Sequence, residues 1–386
     1  MSETQSEPVT ATITDHFVDL EDPRVDRTKD HELLDIITIA ICAIVCGADG
    51  WTGVEKFGNA KLAWFKSFLN LPNGIPSHDT FGRVFARLDP EVFQRCFLNW
   101  MQAVYKVTSG EVVAVDGKCL RRSYDTWSSK AAIHMVSAWT SANHLVLGQR
   151  KVDSKSNEIT AIPALLKLLE ITGCIVTIDA MGCQKAIAEQ IVNQLADYVL
   201  ALKENQEHLY EDVVSLFEWA DNIAFEKLEH DTCCETGKGH GRIETRECWA
   251  ISDPKALDML ADLADWPQLH AVVRVKATRR IGMQRSSETR YYISSLSRAT
   301  KHLARTALHA VRSHWDIENG LHWVLDVGFR EDDSRIRKGY AAENMAVLRH
   351  IALNLLKQET SQRLGIRNKR LLAGWDDNYR QKVLGI

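Results

Sequence analysis

Two aspartates stand where buried strands are expected to end, and residues of this type in this position can hold a divalent cation. Residues 112–115 and 174–178 are short apolar runs, typical of strands buried on both faces, and Asp116 and Asp179 follow them directly. Because ligands bind beyond the carboxyl ends of strands in an open α/β sheet, we expect the two carboxylates to lie close together. Neighbouring carboxylates repel each other unless a cation lies between them, and Mg²⁺ suits a site made of oxygen atoms. Either aspartate alone is more often a turn residue, so the prediction depends on the pair.

A third acidic ligand is expected on a helix near the end of the chain, and Glu318 is the best candidate. At about 100° per residue, Glu318 shares one helical face with His314 and His322. Trp315 and Trp323 lie along a neighbouring stripe. The alternative is an exposed helix with a solvated glutamate, and this concentration of aromatic and imidazole groups argues against it.

Taken together, three segments resemble those of bacterial insertion-sequence transposases with an Asp-Asp-Glu triad, in the branch that includes the H-repeat-associated proteins. The segments are Ala-Val-Asp116-Gly-Lys, Thr-Ile-Asp179-Ala-Met-Gly-Cys-Gln184 and His314-Trp-Asp-Ile-Glu318-Asn-Gly-Leu-His322-Trp-Val-Leu-Asp326. The resemblance covers nearly the whole chain. It implies an α/β fold with a ribonuclease-H-like mixed sheet, in which Asp116 lies on the first strand and Asp179 just after the fourth. Glu318 would lie on a helix after a β-rich insertion.

The resemblance also implies a reaction, namely DNA cleavage and strand transfer by metal-dependent phosphoryl transfer. Asp116, Asp179 and Glu318 would be both the catalytic residues and the ligands of two Mg²⁺ ions about 3.5–4 Å apart. Mn²⁺ is expected to substitute for Mg²⁺. The partners implied are double-stranded DNA, namely the terminal inverted repeats of an element and a target, and further copies of the chain assembled on that DNA.

One departure from the family pattern concerns the helix that carries the glutamate. The wider family tends to have Tyr and Arg before the glutamate and Lys after it, where this chain has Val311, His314 and Leu325. We hypothesise that His314 and His322 do part of that work on the DNA backbone, in which case their protonation would affect binding near neutral pH.

Basic and amide side chains near these motifs are the candidate DNA contacts. Three of them follow the first aspartate, where a solvated turn is an equal alternative, and two follow a predicted strand near residue 202. The others lie in a glycine-rich segment and in a basic run between residues 274 and 290. Besides His314 and His322, the candidate DNA contacts are Lys118, Arg121, Arg122, Lys203, Asn205, Lys238, Arg242, Arg279 and Arg280.

The elements that must position these residues divide the chain into three parts. Residues 1–24 are acidic and are expected to form a flexible tail. Residues 25–107 are predicted to be an all-helical N-terminal domain, which could bind the element ends. Within it, Ser77 is a good N-cap, and Asp89-Pro90 is expected to begin a further helix. Residues 108–386 are predicted to form the catalytic domain, with a β-rich insertion at about 206–300 and C-terminal helices over 301–386.

Bulk composition sets weaker limits. The net charge of −4 gives no overall sign of a nucleic-acid binder, although residues 274–290 carry six basic residues against one glutamate. The acidic start lacks the features of a signal peptide, and the longest apolar stretch is shorter than the roughly 20 residues of a membrane span. The nine cysteines are scattered and suit reduced thiols. We therefore expect a cytoplasmic protein without a membrane partner.

The triad alone does not distinguish three functions. An active transposase is the leading hypothesis, and a stand-alone DNA nuclease could use the same fold and metals. A catalytically silent DNA-binding remnant of a transposase is the third. The basic run and the helical N-terminal part favour a protein that must hold specific DNA ends.

Overall fold

A computed structural model of the chain describes residues 13–124, 131–152, 157–239 and 241–385. It is an α/β structure built on one nine-stranded mixed sheet, which confirms the predicted fold class at that level. Residues 1–12, half of the expected acidic tail, lie outside the described residues. Among those described, no helix is long and apolar enough to cross a membrane.

The first part of the chain is helical, as predicted. Its helices are α1 (Leu33–Val45), α2 (Trp51–Ala60), α3 (Leu62–Phe65), α4 (His78–Arg87) and α5 (Pro90–Val104). The predicted N-cap is present, since the Ser77 hydroxyl accepts from the amide of Thr80 (3.3 Å). The helix predicted to begin at Asp89 is capped by this residue, whose carboxylate accepts from the amide of Glu91 (2.9 Å).

The central part alternates strands and helices. It contains β1 (Val112–Leu120), β2 (Ile133–Thr140), β3 (Leu145–Lys151), α6 (Glu158–Leu166), β4 (Ile175–Ile178), α7 (Lys185–Asn193) and β5 (Asp197–Leu202). Strand β1 is parallel to β4 and antiparallel to β2, and β5 is parallel to β4. This mixture of directions is the mixed sheet that the sequence predicts.

The region expected to be a β-rich insertion begins with a 16-residue helix, α8 (Glu207–Asn222). Strands β6 (His230–Gly239) and β7 (Arg242–Ile251) follow, then the short α9 (Pro254–Leu257), β8 (Ala271–Ile281) and β9 (Gln284–Ser294). These strands do not form a sheet of their own. Because β9 pairs with the edge of β5, the single sheet runs in the order β3-β2-β1-β4-β5-β9-β8-β7-β6.

The last part of the chain is again helical. Helix α10 (Leu303–Ile317) continues through a π-helical turn (Glu318–His322) into α11 (Trp323–Phe329), and α12 (Ala341–Gln358), α13 (Ile366–Trp375) and α14 (Asp377–Leu384) complete it. All residues of α12 up to Leu356 are buried. A helix that is buried all round lies within the core rather than on its surface, although this one also buries polar residues such as Asn344 and His350.

The N-terminal helices and the C-terminal helices share one hydrophobic core, so the predicted N-terminal domain packs closely on the C-terminal helices. Residues of α1, α4 and α5 pack in the same buried cluster as those of α12, α13 and α14. Residues 13–24 also differ from a flexible tail, because Ile13–Phe17 is a 3-10 helix and Phe17 is buried against the ring of Phe93 (5.3 Å between centroids). Burial of large aromatic side chains outweighs the acidic composition of this stretch.

Candidate active site

The two aspartates meet at the point where the parallel pairing of β1 and β4 ends. The last paired residues are Val115 and Ile178, and Asp116 and Asp179 come next on each strand. The expectation that β1 ends at Asp116 is wrong, since β1 continues to Leu120 through its antiparallel pairing with β2. Asp116 therefore lies in a strand held by hydrogen bonds on one side only, whereas Asp179 begins a turn in which its carboxylate accepts from the amide of Gly182 (3.2 Å).

The segment that carries Glu318 is not the continuous α-helix that the sequence predicts, because a π-helical turn begins at Glu318 and ends at His322. Gly320 lies within this turn against the indole of Trp139, and a Cβ at position 320 would come within 2.8 Å of that ring. The glycine therefore permits close contact between the turn and the sheet. Isolated π-turns of this kind are often found at functional sites.

Three side chains converge at this turn. The Nδ1 atom of His322 lies 3.5 Å from Oδ2 of Asp116 and 3.6 Å from Oε2 of Glu318. One ligand atom from each of the three residues lies within 4.8 Å of the other two. The side chain of His322 is only 8% exposed and that of Asp116 15%, whereas that of Glu318 is 55% exposed. In this group, therefore, His322 and Asp116 are buried, whereas Glu318 is open to solvent.

The carboxylates perturb one another strongly. The pKa of Asp116 is raised to about 8, first by burial and then by the negative charges of Glu318 and Asp179. Burial lowers the pKa of His322 and that of His314, so both imidazoles are neutral near pH 7. The protonated histidines expected to contact the DNA backbone therefore do not fit this environment. The His314 ring lies instead beside the hydroxyl of Thr177 (Nδ1 to Oγ1, 3.3 Å).

The chemistry of these groups fits a divalent cation. A raised pKa on a carboxyl beside two others means that the site cannot be fully ionised without a positive charge close by. Two carboxylate oxygens and a neutral imidazole nitrogen can bind Mn²⁺ or Mg²⁺, although Mg²⁺ usually takes oxygen ligands alone. His322 was not predicted to be a metal ligand. The i, i+4 spacing of Glu318 and His322 was the available signal.

An open cleft of about 890 Å³ lies over these groups and brings together six of the residues singled out in the sequence. These are Asp116, Asp179, Glu318, Lys203, Asn205 and His314. Lys203 is exposed at the rim. Asn205 instead donates its amide to the carbonyl of Ala180 (2.8 Å) and so supports the turn that holds Asp179.

Two further lining residues were not chosen from the sequence. The guanidinium of Arg290, on β9, lies 4.7 Å from the centre of the Trp315 ring, and both line the cleft. Trp315 and Trp323, which share a stripe beside Glu318, are 47% and 60% exposed. Arg290 belongs to the basic run noted in the sequence, but only the pairing of β9 with β5 brings it to the site.

The three basic residues after Asp116 do not reach the cleft. Lys118 is in buried ion pairs with Asp326 (2.5 Å) and Glu331 (2.9 Å), and its side chain is 12% exposed, so the expectation that it contacts DNA is wrong. Arg121 and Arg122 are more exposed and form longer ion pairs, of 3.3 Å to Asp332 and 3.4 Å to Asp333 respectively. A buried, doubly paired ammonium cannot leave for a phosphate without a large cost.

The other basic candidates gather at one end of the four-stranded part formed by β6 to β9. Lys238 is opposite Ile243 on β7, and Ile243 is opposite Arg280 on β8, so these strands carry their basic residues at the same level of the sheet. The set is Lys238, Arg242, Arg279 and Arg280, of which Arg242 is ion-paired with Glu244 (2.9 Å). This basic end of the sheet is distinct from the lining of the cleft.

A buried histidine beneath the Lys118 ion pairs makes the stability of the fold depend on pH. Burial lowers the pKa of His350 from 6.5 to about 4, and its Nδ1 atom has no hydrogen-bond partner in the described part of the chain. Between pH 6.5 and 4 the unfolded chain therefore binds a proton that the folded chain does not. The free energy of unfolding should fall over this window as the pH is lowered, by up to about 3 kcal/mol from this residue.

Urea unfolding at pH 7 and pH 4.5 measures this effect. We expect His350→Gln to lose less stability between the two pH values than the parent chain does. His302→Gln, at an exposed position, is the matched control and should behave as the parent chain. An equal loss in His350→Gln and the parent chain would assign the pH dependence to other groups.

Comparisons with known proteins identify the family of this chain. A family model described as "Transposase DDE domain" matches residues 108–355, and one described as "DDE_Tnp_1-associated" matches residues 14–101. The H repeat-associated protein YhhI of Escherichia coli (strain K12) is 40% identical over 377 residues, which are 96% of this chain and 97% of YhhI. A protein of the dhlA 3' region of Xanthobacter autotrophicus is 44% identical over 281 residues, 72% of this chain and 92% of that protein.

Among solved structures, a piggyBac transposase synaptic complex with hairpin DNA is similar to 98% of this chain and 80% of its own, with 10% identity and a TM-score of 0.38. A TM-score this low carries no argument about the fold. The family is shown instead by the match over residues 108–355 and by the full-length similarity to YhhI, which also confirms the resemblance to the H-repeat-associated branch. This chain therefore belongs to the family of transposases that carry a DDE domain.

Proposed function

We propose that this chain is an insertion-sequence transposase that cleaves and joins DNA strands with a divalent cation, Mg²⁺ or Mn²⁺, held by Asp116, Asp179 and Glu318. The observation that carries the proposal is the meeting of these carboxylates, from β1, from the turn after β4 and from the π-helical turn, in one open cleft. The raised pKa of Asp116 supports it, because such a site needs a cation to be ionised. His322 is added to the ligand set.

The core of the sheet is proposed to be ribonuclease-H-like. In its support, Asp116 lies on the first strand, Asp179 follows the fourth and Glu318 comes after the strands β6 to β9. The strand order β3-β2-β1-β4-β5, with only β2 antiparallel to both of its neighbours, agrees with this assignment. The helical residues 25–107 and the basic end of β6 to β9 remain the candidate regions for binding the element ends.

In the proposed mechanism, the residues of the chain hold charged groups in place around the reacting phosphate, and none of them forms a covalent bond to DNA. When bound, the cation would activate a water or a 3′-hydroxyl and stabilise the leaving oxygen. Asp116 is held firmly by β1, whereas the exposed Glu318 can adjust to the phosphodiester. Neutral His322 separates these two carboxylates and keeps them in place. Lys203 and Arg290 at the rim would neutralise the phosphates on either side of the scissile bond.

The test is a cleavage and joining assay with the full-length chain. The substrates are a duplex that carries the inverted repeats flanking its gene, a scrambled duplex and a supercoiled target plasmid. We expect end-specific nicks and joined products with Mg²⁺ or Mn²⁺, and neither product with EDTA. Cleavage without joining would favour the stand-alone nuclease, and binding without cleavage in either metal would favour the silent remnant.

A further inference from the structure

A fourth carboxylate, that of Glu158, lies against the strand that carries Asp116. Glu158 is the first residue of α6, and a Cβ built on Gly117 would lie 2.1 Å from its Oε1 and 2.3 Å from its Cδ. The carboxyl group therefore occupies the space that a side chain at position 117 would fill, on the residue next to Asp116 in the strand. Gly117 does not adopt the left-handed backbone conformation that favours glycine, so close contact explains this glycine better than backbone geometry does.

Glu158 approaches the site from the opposite face of the sheet to Glu318. Along β1, Val113 and Val115 pack in the same cluster as Ala161 and Ile162 of α6. Val112, the residue before Val113, points to the other face of the strand and packs with α10 instead. The α6 face thus contributes one carboxylate and the α10 face another, with β1 between them.

Glu158 has no close partner among the described residues. Within the described residues its carboxylate has no ion pair and accepts no hydrogen bond, although the side chain is half-buried. An acidic residue in the first turn of a helix can be stabilised by the helix dipole. A carboxylate that pointed into solvent at the same turn would gain the same stabilisation. The helix dipole therefore does not explain why this carboxylate packs on Gly117.

The negative charge of Asp179 acts on Glu158 as it does on Asp116. The pKa of Glu158 is raised, first by burial and then by the negative charge of Asp179, and His134 acts in the opposite direction. A half-buried carboxylate next to Asp179 is costly in the absence of a cation, because like charges in a partly dry site repel. The same arrangement becomes favourable when a divalent cation is bound.

We propose that Glu158 is a fourth acidic ligand of the cation site, on the side of Asp179, and that Gly117 is required to let it reach that position. This inference rests on the proposed function, because the cation concerned is the one held by Asp116, Asp179 and Glu318. It extends that proposal from a triad on one face of β1 to a set of carboxylates on both faces. Its main consequence is tighter cation binding before DNA arrives.

The first experiment measures Mn²⁺ binding to the full-length chain without DNA, by electron paramagnetic resonance and isothermal titration calorimetry. We expect Glu158→Gln to raise the Kd for Mn²⁺ by at least about tenfold, as the loss of a supporting or direct ligand does in metal sites. Glu170→Gln is the matched control, because Glu170 is exposed beyond the other end of α6. An unchanged Kd in Glu158→Gln would overturn the proposal.

Thermal unfolding separates a ligand from a merely structural residue. Without cation, Glu158→Gln should have a Tm equal to or above that of the parent chain, because the neutral amide removes repulsion from Asp179. The rise in Tm on adding Mn²⁺ should be smaller than in the parent chain. A lower Tm without cation together with an unchanged Mn²⁺-induced rise would show a structural role and would contradict the proposal.

Gly117→Ala provides a second variant that keeps every carboxylate. Its methyl group would displace the Glu158 carboxyl from β1, so we expect weaker Mn²⁺ binding in this variant. In the Glu158→Gln background the same change should have little further effect, since the displaced group is already neutral. Independent, additive losses would contradict the assigned contact.

Asp116→Asn and Asp179→Asn distinguish failure of this inference from failure of the proposed function. Loss of Mn²⁺ binding in both, with normal binding in Glu158→Gln, would remove Glu158 alone from the site. Normal binding in both aspartate variants would overturn the cation site itself and, with it, this inference.

Discussion

Asp116→Asn is expected to reduce Mg²⁺-dependent DNA cleavage about a thousandfold or more. The amide cannot carry the charge that holds the cation, and a bound metal ion supplies several kcal/mol of transition-state stabilisation. The fold should tolerate the change. Because the pKa of Asp116 is raised to about 8 in the folded chain, its carboxyl is largely protonated at pH 7 without cation, and the amide resembles that neutral form.

The sign of the stability change follows from the same pKa. A carboxyl with an ordinary pKa near 3.8 when unfolded and about 8 when folded destabilises the fold at pH 7, because it must take up a proton or bear the repulsion of Glu318 and Asp179. Asp116→Asn should therefore leave the free energy of unfolding in EDTA unchanged or higher. Urea unfolding in EDTA, beside the cleavage assay, measures both effects on one preparation.

Asp179→Asn and Glu318→Gln should each abolish cleavage in the same assay, and Glu170→Gln should not. Glu318 is the more exposed of the two, so its variant tests whether an open carboxylate is as necessary as a buried one. Full activity in any one variant would remove that residue from the proposed triad. Loss of activity together with loss of cooperative unfolding would instead indicate damage to the fold.

Arg370→Met is expected to lower the free energy of unfolding by about 3–5 kcal/mol, the usual cost of removing one partner from a buried charged network. The side chain of Arg370 is 4% exposed. Its guanidinium donates to the carbonyls of Ile44 (3.0 Å), Ala48 (2.9 Å) and Gly328, and it pairs with the carboxylate of Asp49 (3.1 Å). Methionine fills the space but leaves these buried acceptors without a donor.

The position of Arg370 explains the size of this effect. It lies on α13 and bonds to the end of α1 and to α11, so it ties the first helix of the chain to the helix that follows Glu318. Urea unfolding followed by circular dichroism measures the loss, and Arg367→Met, exposed on the same helix, is the matched control. A loss below about 1 kcal/mol, the range of a surface substitution, would show that the network is not required.

The helix and strand assignments were largely predictable because they depend on local chemistry. Ser77 caps a helix where its short polar side chain predicts a cap, and a helix begins after Asp89 as predicted. The apolar runs before Asp116 and Asp179 are buried strands. The long helix α8 was the main omission. Its charged and apolar residues lie between segments that read as short strands, so local pattern did not separate it from them.

The limits of local chemistry are clearest at Glu318 and Lys118. A helical wheel with an ordinary period brings Glu318 and His322 to one face, but the π-helical turn and the burial of His322 follow from the contact of Gly320 with Trp139. Lys118 has the type and position of a DNA contact. Only the packing of α11 and residues 331–333 beneath β1 turns it into a buried ion pair.

The sequence by itself determined which family the chain resembles, and it predicted the residues proposed to do the chemistry, namely Asp116, Asp179 and Glu318. Residue type and spacing along one element are local properties, so they can be read without coordinates. The tertiary structure alone decided what surrounds those residues. It joined β9 to β5, fused the terminal helices into one core, and brought His322 and Glu158 to the carboxylates from opposite faces of β1. These contacts join residues far apart in the chain, and their formation depends on burial and packing, which no local pattern encodes.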